Sequence, residues 1–163
     1  AGLIWAFGLD EASDIGGFEF SATIRLWREL ALRLAFGGQF MSAWERSALS
    51  FWILPIRIAL GYERTFSRRW TIGGFVGYLF EISWVDVNPR SESTRAFIAM
   101  GLGLEVRVSV ALHDRVAIGA AIQAAWHFND FETYFTDSES GERGIFKYPN
   151  WEISPCIEVV IRL

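Results

Sequence analysis

The side chains best suited to chemistry are few and scattered: two histidines, His113 and His127, and one cysteine, Cys156. His127 stands close in sequence to Asp130 and Glu132. Such a set hydrogen bonds in a polar rim or, with further ligands, holds a metal, but no His-x-x-x-His or Cys/His spacing accompanies it. His113 lies in Leu112-His113-Asp114-Arg115, the composition of a solvated turn. Cys156 sits among Glu152, Ser154 and Glu158 and reads as a buried structural thiol; with no second cysteine, a disulfide within the chain is excluded. Gly37-Gly38 and Gly73-Gly74 are followed by no Lys-Ser/Thr pair, so a phosphate loop is not expected. The expectation from these residues is no catalytic group, no metal and no cofactor. A net charge of −4 provides no basic surface for nucleic acid.

What must position these residues is visible in the hydropathy pattern. The chain is 52% hydrophobic, yet its longest uncharged run, Val116 to Asn129, falls well short of the roughly 18 residues that span a membrane as a helix. From Ala96 to Val110 every even position is apolar (Ala96, Ile98, Met100, Leu102, Leu104, Val106, Val108, Val110). The odd positions between them include Gly101, Gly103, Glu105, Arg107 and Ser109. A period of two marks a strand with two different faces. The same split recurs over about 2–9, 18–26, 30–40, 52–62, 70–84, 116–128 and 151–163, giving eight strands in a single domain over residues 1–163. The apolar face carries no charged residue in any of them. The opposite face is mostly small residues plus five acids and five arginines: Glu19, Arg25, Arg33, Arg57, Glu81, Glu105, Arg107, Glu152, Glu158 and Arg162.

Short connections at Trp27–Glu29, Glu63–Arg69 and Ala111–Arg115 alternate with longer ones at Asp10–Gly17, Met41–Phe51, Val85–Arg95 and Asn129–Asn150. This is the pattern of an all-β, eight-stranded, antiparallel up-and-down transmembrane barrel with three short periplasmic turns, four longer extracellular loops and both termini in the periplasm. A soluble calyx with the faces inverted also alternates. Volume argues against it, because an eight-stranded barrel is only wide enough for side chains to fill. Small residues and a few long charged ones fit inside; the mostly large apolar set does not. Rings at both strand ends agree with a lipid-facing exterior. Trp27, Tyr62 and Trp70 lie beside the short turns, and Trp52, Trp84, Trp126 and Trp151 near the long loops, as an interfacial girdle. Trp5 fits neither band.

The architecture resembles the small eight-stranded outer-membrane barrels, including the A-, X- and W-type outer-membrane proteins, over essentially the whole chain and without a diagnostic motif. It departs from many of them by ending Val160-Ile161-Arg162-Leu163 instead of on an aromatic residue. No basic, apolar signal peptide opens the sequence. The resemblance implies residence in the bacterial outer membrane, lipid as surroundings and a monomer. The balanced interior charges imply a plug rather than a pore, with Arg57 a geometric partner for Glu105 and Arg107 near the periplasmic end. Three functions follow as expectations. The first is a non-enzymatic envelope or surface protein acting through its loops. The second is a conduit for small hydrophobic molecules, opening sideways into the bilayer. The third is a lipid A-modifying enzyme. Against the third, a deacylase pattern resembling His-x-Ser reads His127-Phe128-Asn129 here, without the nucleophile, and by parity His127 faces inward. The last loop reads as a hairpin continuing strands seven and eight. Its Phe131, Tyr134, Phe135 and Tyr148 offer a contact surface for a surface protein, or equally for packing on the outer leaflet.

Overall fold

β-Branched and aromatic residues on one face, with small residues on the other, favour pleated strands over helices. A computed structural model describes residues 2–8, 13–43, 49–67, 69–87, 95–129, 132–136, 143–147 and 150–161, and the side chains of 16–40, 52–67, 69–84, 96–129 and 150–161. The strands are β1 (Gly2–Gly8), β2 (Ser13–Trp27), β3 (Leu30–Ala43), β4 (Leu49–Phe66), β5 (Trp70–Val87), β6 (Arg95–His113), β7 (Val116–His127), β8 (Glu132–Thr136), β9 (Arg143–Lys147) and β10 (Trp151–Ile161). Eight of them close into an antiparallel barrel in the order β1-β10-β7-β6-β5-β4-β3-β2. Because β1 pairs with both β2 and β10, the sheet has no free edge. Closure satisfies the backbone without water, as lipid surroundings demand.

Several strands run further than their apolar stripes. β3 and β4 continue their pairing through Ser42↔Ser50, and β4 and β5 pair Ser50↔Asp86. At the other end β4 runs through Glu63 and Arg64 to Phe66, and β5 begins at Trp70. Backbone pairing needs no greasy face once a strand has left the apolar zone, so alternation understates strand length. The tight turns take left-handed residues, Arg28 and Ser67, each with φ of 48°, which suits the twist of the flanking strands. Register shifts at Arg25/Trp27 and Ala111/His113 lie beside the turns at that same end.

The hairpin of the longest loop is present, but it does not continue β7 and β10. β8 and β9 form a separate two-stranded sheet. The break has a local cause. The side chain of Asn129 accepts from the Met100 N–H at 2.9 Å and donates to the Ile98 carbonyl at 2.8 Å. It thereby occupies the places on β6 that the next residues of β7 would fill.

Two prolines interrupt the ladder. Pairing between β3 and β4 skips from Phe36↔Ile56 to Gln39↔Ile53 around Pro55, and pairing between β1 and β10 skips from Ile4↔Cys156 to Phe7↔Ile153 around Pro155. Proline has no N–H to donate, and each keeps its pairing on the other side, Pro55↔Glu81 and Pro155↔Ile122.

Candidate functional site

The outward face is a continuous belt of exposed large apolar side chains, among them Phe36, Val76, Leu104, Ile122 and Ile157. A soluble monomer does not expose a patch of this extent. All seven girdle residues, Trp27, Trp52, Tyr62, Trp70, Trp84, Trp126 and Trp151, lie exposed on this outer face. Trp52 is opposite Trp84, and Trp126 stacks on Trp151 with ring centroids 5.9 Å apart. Tyr62 donates to Glu29 across the short turns.

Polar side chains gather in the lumen, in two clusters at different heights. In the lower one, toward the short turns, Arg33 is the hub. Its Nε lies 3.1 and 3.2 Å from the two Glu105 oxygens, and its other nitrogens reach Glu19 at 3.5 Å, Glu158 at 3.6 Å and Thr23 at 3.3 Å. Arg107 holds Glu158 at 2.7 Å, and Arg57 holds Glu19 at 3.4 Å. Gln123 donates toward Glu19 and Glu105 at 3.4 and 3.3 Å. Three acids thus meet three arginines, all with largely buried side chains; close pairing and added hydrogen bonds are what offset the desolvation cost of such charges.

Packing around this cluster explains the small residues of the lumen face. Phe75 is buried beneath Arg33, whose guanidinium carbon lies 6.0 Å from the ring centroid. A Cβ on Gly61 would sit 2.5 Å from the Phe75 ring, and one on Gly119 would sit 2.9 Å from Glu158. Glycine at these positions makes room for the large inward groups. A cavity of about 20 Å³ lies beside Arg33, Arg57, Phe75, Gly77, Gly103 and Ser154, enough for about one water.

The charged residues expected inward therefore divide. Glu19, Arg33, Arg57, Glu105, Arg107 and Glu158 form the lower cluster. Arg57 pairs with Glu19 rather than with Glu105, which correspondingly takes Arg33 from the far side of the lumen. Arg25 is not in the lumen network. Its side chain is 60% exposed at the short-turn mouth, 4.0 Å from Glu63, because it occupies the last paired position before the register shift of β2. Arg162 lies outside the described residues. Gln123 was missed by a reading restricted to formal charge, although its inward parity in a run of alanines and glycine was available.

Glu81 and Glu152 belong to the second cluster, near the long loops. They meet His127, which is inward and only 2% exposed. Its Nδ1 is 3.6 Å from Glu81 Oε2, and one ligand atom from each of Glu81, His127 and Glu152 lies within 4.8 Å of the others. Ser154 donates a hydrogen bond to Glu152. Sequence spacing does not show this group, because its members stand at positions 81, 127 and 152 on three different strands. It is the one set among the described residues in which three potential metal ligands converge, against the expectation of no such cluster. Asp130 lies outside the described residues, as do the side chain of Glu132, Phe131, Tyr148 and the side chains of Tyr134 and Phe135.

No protein-family model matches the sequence, and no curated protein matches it either. Two solved structures are similar in fold. The outer membrane protein OprG from Pseudomonas aeruginosa superposes with a TM-score of 0.73 at 12% identity, covering 98% of this chain and 91% of that one. Neisserial surface protein A superposes with a TM-score of 0.58 at 15% identity, with the same coverage of both chains. The chain has the fold of the small outer-membrane β-barrels.

Proposed function

We propose that this chain is an integral, monomeric barrel of the outer membrane of a diderm bacterium, with its termini in the periplasm. It does its work as a non-enzymatic envelope or surface protein and not as a pore. The exposed apolar belt between two rings of Trp and Tyr supports the membrane location. The observation that carries the closed lumen is Arg33, which spans from β3 to glutamates on β2, β6 and β10. A hydrated ion crossing there must separate buried pairs on opposite walls, so the barrel presents its loops rather than a passage. Conductance across planar bilayers tests this. The refolded protein is expected to give no stable channel steps. Reproducible unitary conductance that changes in Arg33→Ala would overturn the reading.

A second reading, a sideways conduit for small hydrophobic molecules, draws support from the ladder interruptions at Pro55 and Pro155. Each interruption leaves two consecutive positions of the register unpaired. Locking β1 to β10 with a disulfide between cysteines introduced for Leu3 and Ile157, which face each other, would abolish uptake if that seam opens.

A further inference from the structure

We propose that Glu81, His127 and Glu152 form a site for one divalent first-row metal ion of the zinc class, which ties both feet of the 128–150 loop to β5. His127 is the last residue of β7 and Glu152 the second of β10, so they flank that loop, and their strands are already bridged by the His127 N–H donating to the Asn150 carbonyl at 2.9 Å. Glu81 reaches them from β5.

The donor set and geometry fit such an ion. The 3.6 Å between His127 Nδ1 and Glu81 Oε2 is close to the ~3.3 Å that separates two ligands on a tetrahedral ion bound at ~2.0–2.1 Å. The widest separation in the group is 4.8 Å at most, so a shared ion requires one glutamate side chain to move closer. An imidazole with two carboxylates favours zinc, iron or manganese over calcium, which takes oxygen ligands alone. Independent support comes from Glu152. It is 3% exposed, and among the described residues no arginine or lysine pairs with it. In the lower cluster every buried carboxylate has a guanidinium. Two carboxylates converging here repel one another, and a dication held between them would offset that repulsion. Ser154, donating to Glu152, fixes that carboxylate as an outer-shell partner would. The cluster lies at the long-loop end, so an ion arriving from that end would not have to pass the arginine hub.

The test uses the untagged full chain, refolded in detergent, stripped with chelator and dialysed against Zn²⁺ or Co²⁺. One ion per chain is expected, with a cobalt visible spectrum of nitrogen and oxygen ligation. His127→Ala, Glu81→Gln and Glu152→Gln should each weaken binding by about 100-fold or more, since even outer-shell changes weaken metal sites by about 10–100-fold. His113→Ala, which alters the other histidine of the chain, should leave it unchanged. A heat-dependent gel shift shows which variants are folded, and the two isosteric Gln variants serve if His127→Ala is not. Trypsin cleavage after Arg143 or Lys147 should slow when zinc is added. Wild-type binding no tighter than that of Glu152→Gln would overturn the site. Binding without slower cleavage would overturn the clamp.

Discussion

Replacing Arg33 with methionine removes the hub of the lower cluster while keeping an unbranched side chain over Phe75. Glu19 retains Arg57, and Glu158 retains Arg107. Glu105 has no second arginine among the described residues and keeps only Gln123. Leaving one buried charge without its partner costs about 3–5 kcal/mol, and Gln123 reduces this toward the lower bound. Arg33→Met should therefore lose about 3 kcal/mol. The double variant Arg33→Met/Glu105→Gln should recover about 2 kcal/mol, because exchanging both members of a buried pair for neutral groups is close to neutral. Urea titration in lipid vesicles, read by tryptophan fluorescence and by gel mobility without heating, measures both. A loss below about 1 kcal/mol for Arg33→Met, the range of solvated ion pairs, would refute the reasoning. It would mean that water already screens the lumen, and the plug would fail along with the stability argument.

The apolar belt predicts a depth dependence. Leu104→Arg, at the middle of β6, should lose about 2–4 kcal/mol in lipid, whereas Leu112→Arg near the turn should lose at most about 1 kcal/mol. Equal losses in vesicle refolding would contradict a bilayer centred on the strands. Gly61→Ala should cost about 1–3 kcal/mol, since its new methyl would collide with the Phe75 ring and with the Gly74 carbonyl oxygen. Gly74→Ala, which meets nothing within 4 Å, should be neutral or stabilising by up to about 1 kcal/mol. If the two alanine variants unfold at the same urea concentration, the lumen is not packed as described.

Legibility in the sequence differed between faces and partners. The alternation in β5, β6, β7 and β10 identified the outward residues, and Ile98 through Val108 and Ile153 through Ile161 lie outward at every second position. Parity also placed Glu105, Arg107, His127 and Glu158 inward. It misjudged Arg25, since inward parity near a strand end leads to the mouth of the barrel rather than into its interior. The β8–β9 hairpin was legible as a hairpin but not as a separate sheet, because the break depends on the Asn129 side chain finding Met100 and Ile98 on a neighbouring strand.

By itself, then, the sequence determined the number of barrel strands, the two faces and the up-and-down order, because side-chain direction along a strand is a local property with a period of two residues. The tertiary structure alone decided which inward residues share a height. That depends on the stagger accumulated around the closed ring and on the tilt it forces on the strands. So Arg33 meets Glu105 across 72 residues, and Glu81, His127 and Glu152 converge from three strands. Neither meeting follows from the parity of any one strand.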